Sequence, residues 1–255
     1  MSMLEATDIT KRFAGITALD KVSVSVDLGE RVGLIGPNGA GKTTFFNCLL
    51  GILAPEEGSV RLNGADISGQ PVYQRARAGI GRTFQRIELF NDTTVREHLL
   101  VAERIRNGRG SFWKDLVGLG RPKPDEIEAA DEVLDMLGLL DSADLPIESL
   151  SLGQGRLVEV GRALMTHPQL LLLDEPSSGL DREETATLAE VLRAVQAEHG
   201  FAILLVEHDV ELVASFTERT YVLDFGCLIA EGPTAETLAS AEVRKAYLGT
   251  MEVGG

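Results

Sequence analysis

The residues with the clearest chemistry form one run, Gly36-Pro37-Asn38-Gly39-Ala40-Gly41-Lys42-Thr43, followed by Thr44. The run fits G-x-x-x-x-G-K-[ST]. In that pattern glycines let the backbone curl tightly and aim successive N–H groups at phosphate oxygens. A helix opening at the end of such a loop adds the positive end of its dipole. Lys42 would reach the terminal phosphates as a point charge, and the Thr43 hydroxyl would bind Mg²⁺. The short run Arg31–Ile35 reads as a strand before the loop, and an apolar helix is expected from about Lys42. Strand, glycine loop and helix are the setting this chemistry needs.

Further along, Leu170-Leu171-Leu172-Leu173-Asp174-Glu175 puts two carboxylates directly after a buried strand. Ligands bind beyond the carboxyl ends of strands in open parallel sheets, so both acids should face the phosphate loop. Asp174 fits the water-mediated partner of Mg²⁺, and Glu175 the group that polarises an attacking water. A second anion site is suggested by Leu150-Ser151-Leu152-Gly153-Gln154. It introduces a helix whose apolar face is Leu157, Val160 and Leu164. Ser151 suits the N-cap, and Gly153 allows a ligand to approach closely. Two candidate sites for a terminal phosphate in one chain leave open whether both touch the same nucleotide. His208 follows the buried run Phe201–Val206, whereas His98, His167 and His199 read as ordinary histidines.

These groups need a rigid scaffold, and the sequence describes one. Leu4–Thr10 and Val22–Val26 read as short strands, the second alternating apolar residues with Ser. Pro55–Gly58 ends the helix after the glycine loop, and Asn63-Gly64 turns the chain after Ser59–Leu62. Thr94 to Met165 is mostly helical, interrupted by the Gly/Arg/Pro-rich stretch Asn107–Pro124. A helix is expected over Asp181–His199. Continuous apolar strands alternating with helices mean an α/β fold around a parallel sheet covered on both faces. Early antiparallel strands and a helical insertion complete it.

Length and composition agree with one large domain. The chain has 255 residues, of which 44% are hydrophobic, enough to bury a core and to exclude disorder along the whole chain. The longest apolar run, Phe201–Val206, is six residues. A membrane span needs roughly 20. The start, Met1-Ser2-Met3-Leu4-Glu5, lacks the basic and apolar segments of a secretory signal. Cys48 and Cys227 are therefore expected as thiols in a cytoplasmic protein. Lys and Arg number 24 against 39 acids, a net charge of −15. The stretch from Lys123 to Glu148 holds nine acids and one base and reads as a solvated helical face. Binding to nucleic acid or anionic lipid is disfavoured.

Taken together, these residues resemble the ATP-binding cassette family of ATPases over nearly the whole chain, residues 1–255 as a single nucleotide-binding domain. Gly36–Thr43 looks like Walker A and Leu170–Pro176 like Walker B. Thr83-Phe84-Gln85 looks like the Q-loop, and Leu150–Gln154 like the signature motif, with Gly161-Arg162-Ala163-Leu164 after it. Ser177-Ser178-Gly179-Leu180-Asp181 looks like the D-loop, and Val206-Glu207-His208-Asp209 like the H-loop.

The resemblance implies a P-loop NTPase core, an antiparallel β subdomain and a helical subdomain inserted at about 90–165. It implies ATP and Mg²⁺ as cofactors. Gln85 would contact Mg²⁺ and water, His208 the γ-phosphate, and Phe13 would stack on adenine. It also answers the question of two sites. Cassettes of this family pair head to tail, each nucleotide lying between the Walker A loop of one and the signature of the other. Leu152 stands where the family usually has Gly. Gly161 replaces Ala, a helix-weakening change of roughly 1 kcal/mol.

Within the family, Gly79–Phe90, Thr94–Leu99, the insertion before the signature and the tail motifs Asp224-Phe225-Gly226, Ile229–Gly232 and Ala246-Tyr247-Leu248-Gly249 resemble the ATPases of branched-chain (hydrophobic) amino acid importers. The implied partners are two transmembrane permease subunits, a second cassette of the same or a related kind, and, indirectly, an extracytoplasmic solute-binding protein. The chain would sit on the inner face of the membrane, with a permease groove near Gln85–Asn91 and the helical lobe. Urea and short-chain amide importers share this branch, lipid-exporting complexes are the alternative within transport, and a non-transport cassette ATPase is the rival outside it. The acidic charge and the absence of coiled-coil insertions speak against that rival.

Overall fold

The computed structural model describes residues 2–83, 93–106 and 122–248. Among these the strands form two sheets. The first is antiparallel, in the order β2-β1-β4-β5, built from β1 (Ser2–Phe13), β2 (Ile16–Asp27), β4 (Glu57–Leu62) and β5 (Ala65–Asp66). β1 and β2 are twelve residues each, longer than Leu4–Thr10 and Val22–Val26. Register shifts between Ala6 and Ile9 and between Ile9 and Lys11 explain the difference. Asp8 and Lys21 take left-handed backbone there, with φ of 52° and 50°. Bulges of this kind break the alternation of apolar and polar residues while the pairing continues.

The second sheet has the order β10-β9-β3-β8-β7-β6. It comprises β3 (Arg31–Ile35), β6 (Ile80–Arg82), β7 (Leu170–Asp174), β8 (Ala202–Val206), β9 (Arg219–Asp224) and β10 (Cys227–Pro233). β9, β3, β8, β7 and β6 run parallel, and β10 returns antiparallel to β9. The four leucines of β7 are all fully buried because they serve two cores. Leu171 and Leu173 pack with Ile203, Leu205 and the helices on one face. Leu170 and Leu172 pack with Leu204 and with Phe45 and Leu49 on the other. Covering both faces is what turns the usual alternation into an unbroken apolar run.

Phe45 and Leu49 belong to helix α1 (Lys42–Leu50), which packs in the same core as β1 and β2. The helix stops at Leu50, earlier than Pro55–Gly58 suggests, because Gly51 turns left-handed with φ of 77°. Arg75, 1% exposed, completes this end. It lies in helix α2 (Val72–Arg77), and its Nη1 donates to the carbonyls of Cys48 and Leu49 at 2.8 and 2.7 Å. A cation on carbonyls left open at a helix C-terminus is favourable for both dipole and hydrogen-bonding reasons.

Among the described residues, three α-helices lie between β6 and β7: α3 (Val95–Arg106), α4 (Pro124–Met136) and α5 (Leu152–Leu164). They pack together and continue the core of the sheet's outer face through Leu99, Leu134 and Leu157. Gly161 lies where α5 meets this group, and a Cβ there would sit 2.8 Å from Leu137 Cδ1. Its weak helix propensity is offset by the close approach it permits. Helix α6 (Arg182–His199), helix α7 (Val210–Phe216), α8 (Thr234–Ala239) and α9 (Ala241–Leu248) complete the described chain. No helix among the described residues is long and apolar enough to cross a membrane.

Candidate functional site

The order β3-β8-β7-β6 sets four loops side by side at the carboxyl ends of parallel strands. The glycine loop leaves β3, Glu207 and His208 leave β8, Asp174 and Glu175 end β7, and Thr83 follows β6. Main-chain bonds stitch these ends together. Glu207 N donates to Leu34 O at 3.3 Å, Glu175 N to Val206 O at 2.8 Å, and Thr83 N to Leu172 O at 3.1 Å.

The glycine loop is shaped by its neighbours. Gly36, with φ of 157°, crosses so close to β9 that a Cβ would sit 2.1 Å from Leu223 O. Gly39 and Gly41 have φ of 81° and 104°. Gly41 caps α1, and no side chain accepts a hydrogen bond at that helix start. Lys42 Nζ donates to Gly36 O at 2.6 Å and Pro37 O at 3.1 Å, folded over the loop. Burial pushes its ammonium below the ordinary value, while Glu175, Asp174 and Glu207 pull it back.

A cavity of about 480 Å³ opens at this loop, lined by Asn38–Thr44 together with Glu175. Its far wall is Ile16, Thr17, Ala18, Phe225 and Gly226. Phe13 ends β1 outside that lining, 44% exposed, with Lys11 Nζ 5.3 Å from its ring centre. Phe225, in the turn between β9 and β10, is 86% exposed. Sequence reasoning missed this second aromatic, because nothing in its local pattern joins it to the glycine loop.

Asp174 is 8% exposed. Burial, then Glu175 and Glu207, push its carboxyl up to about 6, against the pull of Lys42 and Arg82. Glu175 holds left-handed backbone with φ of 47°, a strained geometry for a non-glycine residue. His208 Nδ1 lies 3.8 Å from Glu175 Oε1 and 3.7 Å from Glu207 Oε2. Glu207 was also missed, although an acid directly after a buried strand is the signal that marked Asp174 and Glu175.

Ser151 caps α5, its Oγ accepting from Gln154 N at 3.2 Å while Gln154 Oε1 accepts from Ser151 N at 3.0 Å. None of Ser151, Gly153 and Gln154 lines the cavity at the glycine loop. The Gly153 amide donates to Glu184 Oε1 at 3.2 Å. Glu184 Oε2 accepts from Asp181 N at 3.2 Å, in the capping box that starts α6. Arg156 Nη2 donates to Ser178 O at 3.2 Å, a second tie between α5 and the stretch Ser177–Asp181. Leu152 is 42% exposed, and its Cδ2 would touch a Cβ on Gly179 at 3.0 Å. The pattern Asp-x-x-Glu at 181–184 announces the cap of α6, but not its reach to Gly153.

Gln85 and the stretch to Asn91 lie outside the described residues, as does Gly249 of the tail motif. A groove of about 620 Å³ runs between α2 and β6 on one side and α3 and α5 on the other. Tyr73, Arg77, Arg82, Val101, Arg162 and His167 are among its walls.

The comparisons with known proteins agree with this geometry. The chain is 38% identical over 250 residues to the high-affinity branched-chain amino acid transport ATP-binding protein BraF of Pseudomonas aeruginosa, covering 97% of this chain and 98% of that one. It is 37% identical to the corresponding protein LivG of Escherichia coli, at the same coverage. A solved ATP-binding cassette of an ABC transporter in its ADP conformation superposes with a TM-score of 0.88 at 34% identity, covering 98% and 99% of the two chains. A dimeric cassette in a post-hydrolysis state bound to ADP and Pi gives 0.74 at 26% identity, covering 91% and 99%. Residues 19–178 match the ABC transporter family model. With loops, strands and relatives in agreement, the chain belongs to the ABC transporter family, as one of its ATP-binding cassettes.

Proposed function

We propose that this chain is the ATP-hydrolysing subunit of an importer of branched-chain or other hydrophobic amino acids. The observation that carries the ATPase reading is the neighbouring position of Gly36–Thr43, Asp174-Glu175 and His208 at the ends of β3, β7 and β8. The solute is carried over from relatives that match along almost their entire length.

Lys42 and the N–H groups from Gly39 to Thr44 hold the β- and γ-phosphates. Ile16, Thr17 and Ala18 enclose the nucleoside side, and Phe13 stacks on the base. Glu175 orients a water for in-line attack on the γ-phosphorus and accepts its proton. The new bond joins the water oxygen to phosphorus, and the bond to the bridging oxygen of ADP breaks. His208 and Gln85 contact the transferred phosphate and its surroundings. The donor set fits magnesium: the Thr43 hydroxyl lines the cavity, and the buried, crowded carboxyl of Asp174 would be relieved by a dication. When bound with the nucleotide, that ion neutralises charge on the phosphate oxygens.

Ser151, Gly153 and Gln154 serve a nucleotide held by a second cassette. Their absence from this chain's own cavity wall supports that division of labour. The helices within about 90–165 act as a lobe, and the groove beside α2 takes a segment of a permease. The chain thus works on the inner face of the membrane with two permease subunits, fed by an extracytoplasmic binding protein.

The test is uptake of labelled leucine by vesicles containing the chain, its companion cassette and the permeases, with the binding protein supplied outside. Uptake should require ATP inside and vanish with Glu175→Gln. ATP breakdown without uptake of any branched-chain amino acid would reject the solute, and no breakdown would reject the ATPase.

A further inference from the structure

The four loop ends are joined by more than main-chain contacts. Glu207 is fully buried. Its Oε1 accepts from Ser177 N at 3.0 Å and Ser177 Oγ at 2.6 Å. Its Oε2 accepts from His208 N at 3.0 Å and Asp209 N at 3.3 Å. Each carboxylate oxygen therefore serves a different loop, one leading from β7 into Ser177–Asp181 and the other bearing His208. All four partners donate. An ionised carboxylate, which only accepts, satisfies such a shell, whereas an amide in its place would turn one NH₂ against N–H groups. A buried charge is costly unless hydrogen-bonded, so a group used only to close a turn has cheaper alternatives. Asp209 in turn caps α7 through Leu212 N, which anchors the far side of the link. Ser178 N donates to Glu175 O at 3.1 Å, so the catalytic candidate is part of the same network.

We propose that Glu207 is a positioning residue for ATP hydrolysis, tying the start of the D-loop to the backbone of His208 so that both loops move as one body against Glu175. The proposal rests on the ATPase reading above. In that reading the start of α5 faces a second cassette, Arg156 ties it to Ser178 O, and a displacement passed on to Ser177 reaches His208 through one carboxylate. Nucleotide affinity belongs to the glycine loop, which Glu207 does not contact by any hydrogen bond among the described residues. The link should therefore appear in turnover more than in binding, and Ser177→Ala, which keeps the Glu207 charge that acts on Lys42 and Asp174, reports the link without that electrostatic change.

The test compares the full chain with Glu207→Gln and Ser177→Ala. In nucleotide-free protein, amide exchange should quicken severalfold in both 177–181 and 208–212 of Glu207→Gln, with the strands β7 and β8 unchanged. ATP turnover should drop about tenfold or more, as misplaced groups produce, with KM held within about twofold. Ser177→Ala removes only the hydroxyl donor. It should quicken exchange in 208–212, on the other loop, and lower turnover less. Faster exchange confined to the mutated loop overturns the proposal, as does unchanged turnover when both loops loosen or a rise in KM that accounts for the whole loss. If Glu207→Gln does not fold, Ser177→Ala decides by the exchange in 208–212. A native chain without turnover, both by itself and beside its companion cassette, would defeat the ATPase reading alone, and the exchange measurement would still judge the link.

Discussion

Two helices of this protein begin with groups suited to an anion, and they begin differently. Helix α1 starts at Gly41 with no side-chain cap and no acid in its first turn. Helix α5 starts at Ser151 inside a closed capping box, and its Gly153 amide is already held by the carboxylate of Glu184. The first start is open toward its own cavity, where in the proposed reading a phosphate completes it. The second is satisfied within the chain, so a phosphate from elsewhere must displace a carboxylate that sits as its stand-in. In the reading proposed above, the two starts differ in what an anion must displace: at the first, the Lys42 ammonium leaves the carbonyls of Gly36 and Pro37, and at the second one anion is exchanged for another.

The sharpest way to break that contrast is at the open start. Lys42→Ala removes the cation on which Asp174, Glu175 and Glu207 pull, and nucleotide affinity should drop roughly 100-fold or more, the usual loss for truncating a buried charge partner. Fluorescent-nucleotide titration measures it, and retained affinity would mean that the backbone cradle suffices. Next in size is Glu175→Gln. It should leave affinity intact, lower turnover by on the order of 10²–10⁴, and hold an ATP-bound pair visible by sizing chromatography. Normal turnover would require another base.

Asp174 sharpens the comparison through pH. Its carboxyl is pushed up to about 6 from 3.8. Between those values the native chain keeps a proton that the unfolded chain has released, so stability conferred at low pH is lost as pH rises through about 6. The shift corresponds to roughly 3 kcal/mol. Asp174→Asn should therefore raise the melting temperature of the nucleotide-free chain at pH 7.5 by several degrees and flatten its slope between pH 4 and 6. The same substitution should abolish the response to magnesium.

The smallest effect belongs to the capped start. Glu184→Gln keeps the box that begins α6 but removes a charge from its first turn, costing about 0.5 kcal/mol, and frees Gly153 from a competing charge. Melting should fall slightly while the ATP concentration needed for pairing falls severalfold. If pairing weakens instead, Glu184 presents the Gly153 amide and does not block it.

Much of this was legible in order along the chain. The glycine loop, the acids after four leucines and the serine before α5 announce themselves because each is local, set by turn chemistry, strand burial or helix capping. Lengths were less legible, since the bulges at Asp8 and Lys21 hide six or more paired residues from a pattern of period two. The end of α1 was also hidden, because it is decided by Gly51 and by Arg75 from another element. Gly161 read as a weakness and proved a point of close packing.

The amino-acid sequence by itself determined which groups are suited to phosphate chemistry and that they end strands, since residue type and local spacing suffice for that. Only the tertiary structure decided that β8, late in the chain, enters between β3 and β7 and so brings His208 and Glu207 between the glycine loop and Glu175. It also decided that Phe225 walls the cavity and that Glu184 occupies the Gly153 amide. Strand order and contacts between distant segments follow from how apolar faces are jointly buried, and no local pattern encodes that.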